Sequence, residues 1–246
     1  MTFDLFLSHA DAQRATRVLA KLVRHGLRDF ALTGGLAVEA SLALAGNGQA
    51  PHMRPLNDVD IVVESFAVLP PALADGFLFR HIHPGVPTGK TLVQLVDPGE
   101  WLRIDIFRAS GATLARSLQT DFPFASLALL ALEDLAAREA SLLMNLADGA
   151  PVPRKHAQDF HRLVHAATAV DRRRIEAAWA DHRKGHHPAT FPEAAARIAE
   201  LTQSRPNPLV MPDYSHDPDA ACPKCRETGA FRIAPPRTVL SILGYC

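Results

Sequence analysis

Cysteine is nearly missing from this chain: three residues, Cys222, Cys225 and Cys246, all after position 220. A disulfide framework for the main body is therefore excluded, and a reducing compartment is expected. Long apolar runs are missing too, since no stretch approaches the ~20 uninterrupted residues that a membrane-spanning helix needs. The start, "MTFDLFLSHADAQ", carries acids where a secretory signal would carry bases and then an apolar stretch, so the expectation is a cytoplasmic protein with no membrane partner. There is no net charge, because 26 Lys and Arg balance 26 Asp and Glu. No whole-molecule field draws in nucleic acid or membrane; only residues 151–205, with ten bases against six acids, offer RNA a local attraction. No internal repeat appears. What is present is an ordinary globular composition, 48% hydrophobic with a mean hydropathy of +0.01, too apolar for general disorder. Its 246 residues suffice for one catalytic-sized core with additions.

Val18, Leu19, Leu22 and Val23 recur at helical spacing in "AQRATRVLAKLVRHGL", with bases on the other face, which predicts an amphipathic helix. "DFALTGG" reads as a strand ending in two glycines, and "LAVEASLALAG" as a helix closed by Gly46. After the turn-rich residues 47–57, "DVDIVV" is a short β-branched strand, and "FLFRHI", "TLVQLV" and "LRIDIF" are further strands. Helical patterns then begin near Phe124, in "ASLALLALEDLAAREASLLMNLA", "KHAQDFHRLVHAA" and "DRRRIEAAWADHRK". The expected architecture is an α/β (α+β) mixed sheet flanked by helices in residues 1–120. A helical region, 121–204, packs on that core, and a proline-rich tail, 205–246, wraps or extends. "HRKGHH" reads as a solvated helix end.

The chemistry concentrates in "RPLNDVDIVV", residues 54–63. Alternation in a strand gives Val59, Ile61 and Val63 one face and Asp58 and Asp60 the other, about 6.6 to 7 Å apart along the backbone, so both carboxylates can reach one cation. In "WLRIDIF" the same alternation turns Leu102, Ile104 and Ile106 inward and sets Asp105 beside Arg103 and Phe107. If the two strands are neighbours, three acids converge. Oxygen-only clusters suit hard cations such as Mg²⁺, which commonly shares its ligands with substrate phosphates. "TGG", Thr33 to Gly35, supplies the other half, because a strand–glycine–helix junction aims free N–H groups at an anion such as a triphosphate. An isolated Asp-x-Asp is a weak signal whose plain reading is a solvated strand end. Its combination with the glycine turn and the second acidic strand is what points to phosphoryl chemistry.

Taken together, "LTGGLAVEASL", "RPLNDVDIVV" and "LRIDIF" resemble the polymerase-β-type nucleotidyltransferase superfamily, and are most similar to its AbiEii-type group, which includes toxins of toxin–antitoxin systems. The resemblance covers roughly residues 28–165. It implies that Gly34 and Gly35 cradle nucleotide phosphates, that Asp58 and Asp60 hold Mg²⁺, and that Asp105 completes the metal site and helps deprotonate the acceptor. It implies accessory nucleotide contacts from Arg54, four residues before Asp58, and from Lys155 and Asp159 of "KHAQD". The residue-level alternative for that last pair is an exposed i,i+4 ion pair. The chain departs from the pattern at Leu56, where Ser or Thr is usual, at Arg138, where Lys is common, and in the long gap between Gly35 and Asp58. The implied activity is Mg²⁺-dependent transfer of a nucleotide from an NTP to RNA, protein or a small molecule, with an antitoxin as a further protein partner. The alternative is a noncatalytic module that keeps the fold for binding.

Two other motifs need weighing. "GVPTGKT" at 85–91 lacks P-loop spacing and precedes a strand-like run, so no P-loop is expected. "CPKC" has zinc-knuckle spacing, and Cys222, Cys225, Cys246 and His216 can make a structural Zn²⁺ set, the alternatives being plain thiols or a redox pair.

Overall fold

The computed structural model describes residues 1–46, 52–79, 92–146, 152–167 and 171–204. The chain opens with helix α1 (His9–Arg24), whose Ser8 hydroxyl accepts the Asp11 amide at 3.2 Å and so satisfies one free N–H of the first turn. Val18, Leu19 and Leu22 are buried, as their spacing predicts, and the basic face is turned outward. Strand β1 (Phe30–Thr33) is wholly buried and runs directly into α2 (Gly34–Ala45), which ends at Gly46 in the left-handed conformation. Strand β2 (Asp58–Val63), the short α3 (Leu73–Gly76), and strands β3 (Leu78–Phe79), β4 (Leu92–Asp97) and β5 (Leu102–Arg108) follow. The chain then adds β6 (Leu118–Phe122), β7 (Ala125–Leu129) and four helices: α4 (Leu132–Met144), α5 (Arg154–Ala167), α6 (Arg172–His182) and α7 (Phe191–Ser204).

The fold is mixed α/β, as the sequence predicts. Among the described residues, seven strands form one sheet in the order β3-β4-β5-β2-β1-β7-β6. Pairings β2/β5 and β1/β7 are parallel and the other four antiparallel. Beside the sheet, α4 packs against α5 and α6, and less extensively against α2 and α7. One apolar core runs from Phe3 through Leu32, Ile61 and Ile104 to Trp179 and Ile198. Among the described residues, no helix is long and apolar enough to cross a membrane.

Two expectations are corrected. Residues 125–129, read as the start of a helix, form strand β7, and α4 begins only at Leu132. A short apolar run does not distinguish a buried strand from a buried helix by periodicity. Here the open edge of β1 decides, pairing with Ala128 and Leu129. "HRKGHH" is not wholly solvated either: His187 is buried, stacks on Trp179 with ring centroids 5.7 Å apart, and accepts the Lys184 amide at 3.0 Å. "GVPTGKT", the second half of "FLFRHI", and the tail with its four zinc candidates lie outside the described residues.

Candidate active site

The parallel register of β2 and β5 builds the acidic centre. Asp58 stands opposite Arg103 and Asp60 opposite Asp105, while Val59, Ile61, Val63, Leu102, Ile104 and Ile106 are sealed in the core. One carboxylate oxygen from each of Asp58, Asp60 and Asp105 lies within 4.8 Å of the other two, so the three acids expected from sequence converge. Burial first, and then the charges of Asp58 and Asp105, hold the Asp60 carboxyl well above the usual carboxylate range, against the opposing pull of Arg138 and Lys155. A cation among these oxygens would offset that repulsion.

The glycine turn is drawn tightly around that centre. Thr33 pairs with Asp60 across β1 and β2, and Gly34 takes a positive φ of 62° at the start of α2. A Cβ at Gly34 would lie 2.6 Å from the Asp60 carboxylate carbon, so both the backbone angle and the space demand glycine. At Gly35 a Cβ would meet Arg54 Nη1 at 2.8 Å and approach Lys155 Nζ to 3.7 Å. The helix start, with its unsatisfied N–H groups, is therefore flanked by acids on one side and cations on the other. The Thr33 hydroxyl is fully buried and has no hydrogen-bond partner among the described residues. An all-oxygen donor set, an orphaned hydroxyl beside it and a cradle that a single methyl would fill together fit a hard divalent cation carrying phosphate oxygens.

Arg54, Lys155 and Asp159 occupy different surroundings. Arg54 donates to Glu39 at 2.5 Å and to Asp159 at 2.8 and 3.2 Å, while Arg162 donates to the same Glu39 at 2.6 and 2.8 Å. The His52 amide adds a bond to Glu39 at 2.9 Å. Glu39 and Asp159 are buried, so an exposed Lys155–Asp159 pair is ruled out: Asp159 turns inward to the arginines and Lys155 stays exposed beside Gly35. Burial would raise the Glu39 carboxyl, yet the arginines and the amide leave it below its ordinary range. Sequence reasoning passed over Glu39 and Arg162. The available signal was Glu39 itself, the one charge in an otherwise apolar helix, which has to be paired once buried. Leu56, the departure in the motif, is buried in the core.

A cavity of about 550 Å³ opens over the acids and glycines toward the helices, lined also by Phe107, Arg138, Leu142, Lys155, His182 and Lys184. The half-buried Arg138 guanidinium stacks 4.0 Å from the Phe107 ring centroid. Burial pulls its pKa down, while Asp60, Glu139 and Asp105 support its charge. At the wall, His182 Nε2 lies 3.3 Å from buried Asp134, which Arg116 also grips through two bonds of 2.7 and 2.8 Å.

No family model matches the chain, and neither does any curated protein. Several solved structures are similar in outline. A nucleotidyltransferase-like protein from Paracoccidioides brasiliensis is 17% identical with a TM-score of 0.41, over 81% of this chain and 91% of that one. JHP933 from Helicobacter pylori is 12% identical with a TM-score of 0.37, over 80% and 92%. The Megavirus polyadenylate synthase is 9% identical with a TM-score of 0.39, over 61% of this chain, which spans only 31% of that enzyme. At these scores the functional reading rests on the site's own geometry.

Proposed function

We propose that this protein is a divalent-metal-dependent nucleotidyltransferase that moves a nucleotide from an NTP to an acceptor hydroxyl. The observation that carries the reading is the convergence of Asp58, Asp60 and Asp105 beside the open N-terminus of α2. Asp58, Asp60 and Asp105 would hold Mg²⁺, which when bound supplies positive charge to the triphosphate and to the developing charge on it. Gly34 and Gly35 present backbone donors to phosphate oxygens, with Thr33 buried behind them, and Lys155 and Arg138 bring cations from the helical side of the cavity. Arg54 and Asp159 support that seat from behind, by fixing α5 against α2. Asp105 accepts the proton of the acceptor hydroxyl as its oxygen attacks the α-phosphorus and pyrophosphate departs in line.

The acceptor is RNA, a protein or a small molecule. The AbiEii-type resemblance extends the proposal to a toxin-type enzyme with an antitoxin partner, the start and cysteine usage of the chain to the cytoplasm, and the spacing of "CPKC" to a structural Zn²⁺ held by Cys222, Cys225, Cys246 and His216. The division into residues 1–120, a helical region and a tail is proposed as a change from strand-rich to helix-rich chain and not as the edge of a separately folding unit. A second reading, a noncatalytic module, is favoured by one observation: Arg103 already engages two of the three acids. The deciding experiment incubates purified protein with each labelled NTP, Mg²⁺ and pools of RNA, protein and small acceptors. Label transfer that disappears in the Asp58→Ala/Asp60→Ala double variant is expected, and no transfer from any NTP favours the binding module.

A further inference from the structure

The acidic cluster comes with a cation of its own. Arg103 sits two residues before Asp105 on the same face of β5 and directly opposite Asp58 of β2. Its Nη2 donates to an Asp58 carboxylate oxygen, and its Nε lies 3.2 Å from Asp105 Oδ1. The side chain is only 13% exposed, so this guanidinium is a packed member of the cluster and not a passing surface contact. Asp60 is the one acid of the three with no ion pair to Arg103. Two of the three carboxylates thus share one buried positive charge.

We propose that Arg103 is a resident counter-ion that holds the metal-free acidic centre together and gives way when a divalent cation enters, so that metal binding and release of the guanidinium are one exchange. The inference rests on the metal-dependent reading above. Its physical basis is competition: a divalent ion drawing oxygens from Asp58 and Asp105 pulls Asp58 from its charge-assisted bond to Arg103 and Asp105 from its ion pair with the same guanidinium, and two like-signed groups do not share so small a site. The enzyme then has a built-in threshold for metal. Without Arg103 the empty cluster would be repulsive and the filled one unusually stable.

Binding of Mn²⁺ alone to the full chain, without nucleotide, tests this by calorimetry and thermal unfolding. Arg103→Met keeps the aliphatic stem and removes the charge. It is expected to bind Mn²⁺ on the order of tenfold more tightly than wild type and to unfold at lower temperature without metal, with the deficit shrinking when Mn²⁺ saturates. Should that variant not fold, wild type still answers: the Arg103 Nη2 protons, which bond to Asp58, are expected to lose their hydrogen-exchange protection on addition of Mg²⁺. Equal or weaker Mn²⁺ binding by Arg103→Met, or protection unchanged by Mg²⁺, overturns the exchange. If wild-type binding is meanwhile abolished by Asp58→Ala/Asp60→Ala, the metal site itself stands and only the role of Arg103 is lost. No Mn²⁺ binding by either wild type or Arg103→Met overturns both.

Discussion

Asp60 carries a charge load that its neighbours do not relieve, and this has a direction in pH. Its folded-state pKa lies well above the usual carboxylate range because its half-buried carboxyl is desolvated and faces Asp58 and Asp105. The folded protein therefore keeps a proton that the unfolded chain has already released, and metal-free stability falls as pH rises from about 4 toward the folded pKa, then levels off. Asp60→Asn removes the titrating group. Urea midpoints measured in chelator between pH 4 and 8 are expected to decline less steeply for the variant, and equal slopes would sink the assignment. At this scale the sequence was legible where alternation in a strand decides a side chain's direction: the three acids fell out of two short strands. The buried bond network of Glu39 was not, because pairing across 15 and 123 residues leaves no periodic trace.

Between elements, the arginines join what the sequence separates. Glu39 on α2 and Asp159 on α5 are both buried, and Arg54, from the segment before β2, bonds to each. Removing one partner of such a pair strands a buried charge, which costs about 3 to 5 kcal/mol. Arg54→Met is expected to lose stability of that order in urea unfolding. A loss below about 1 kcal/mol would mean that Arg162 alone satisfies Glu39 and that Arg54 is free for ligand. The same variant should raise the KM for NTP, since α5 carries Lys155 to the mouth of the cradle beside Gly35. Element types were legible wherever a period was long enough, as in α1. They were not at β7, where five residues fit either a strand or a helix and only the vacant edge of β1 chooses.

For the molecule as a whole, that misread strand matters most. Position 120 falls inside β6, and β7 lies between β6 and β1, so the sheet is not complete when the chain reaches residue 120. A fragment of residues 1–120 would leave the β1 edge unpaired. It would also lack Leu129, Leu130, Leu135 and Trp179, all buried in the continuous core. An open, apolar parallel edge is a template for association instead of a stable boundary. The active-site cavity would lose one wall as well, since Arg138, Lys155 and His182 come from α4, α5 and α6. Fragment 1–120 is accordingly expected to show no cooperative urea transition and no Mn²⁺-dependent stabilisation, while the full chain shows both. A fragment that unfolds cooperatively and is stabilised by Mn²⁺ would instead establish residues 1–120 as a self-sufficient core with the helices as an accessory layer.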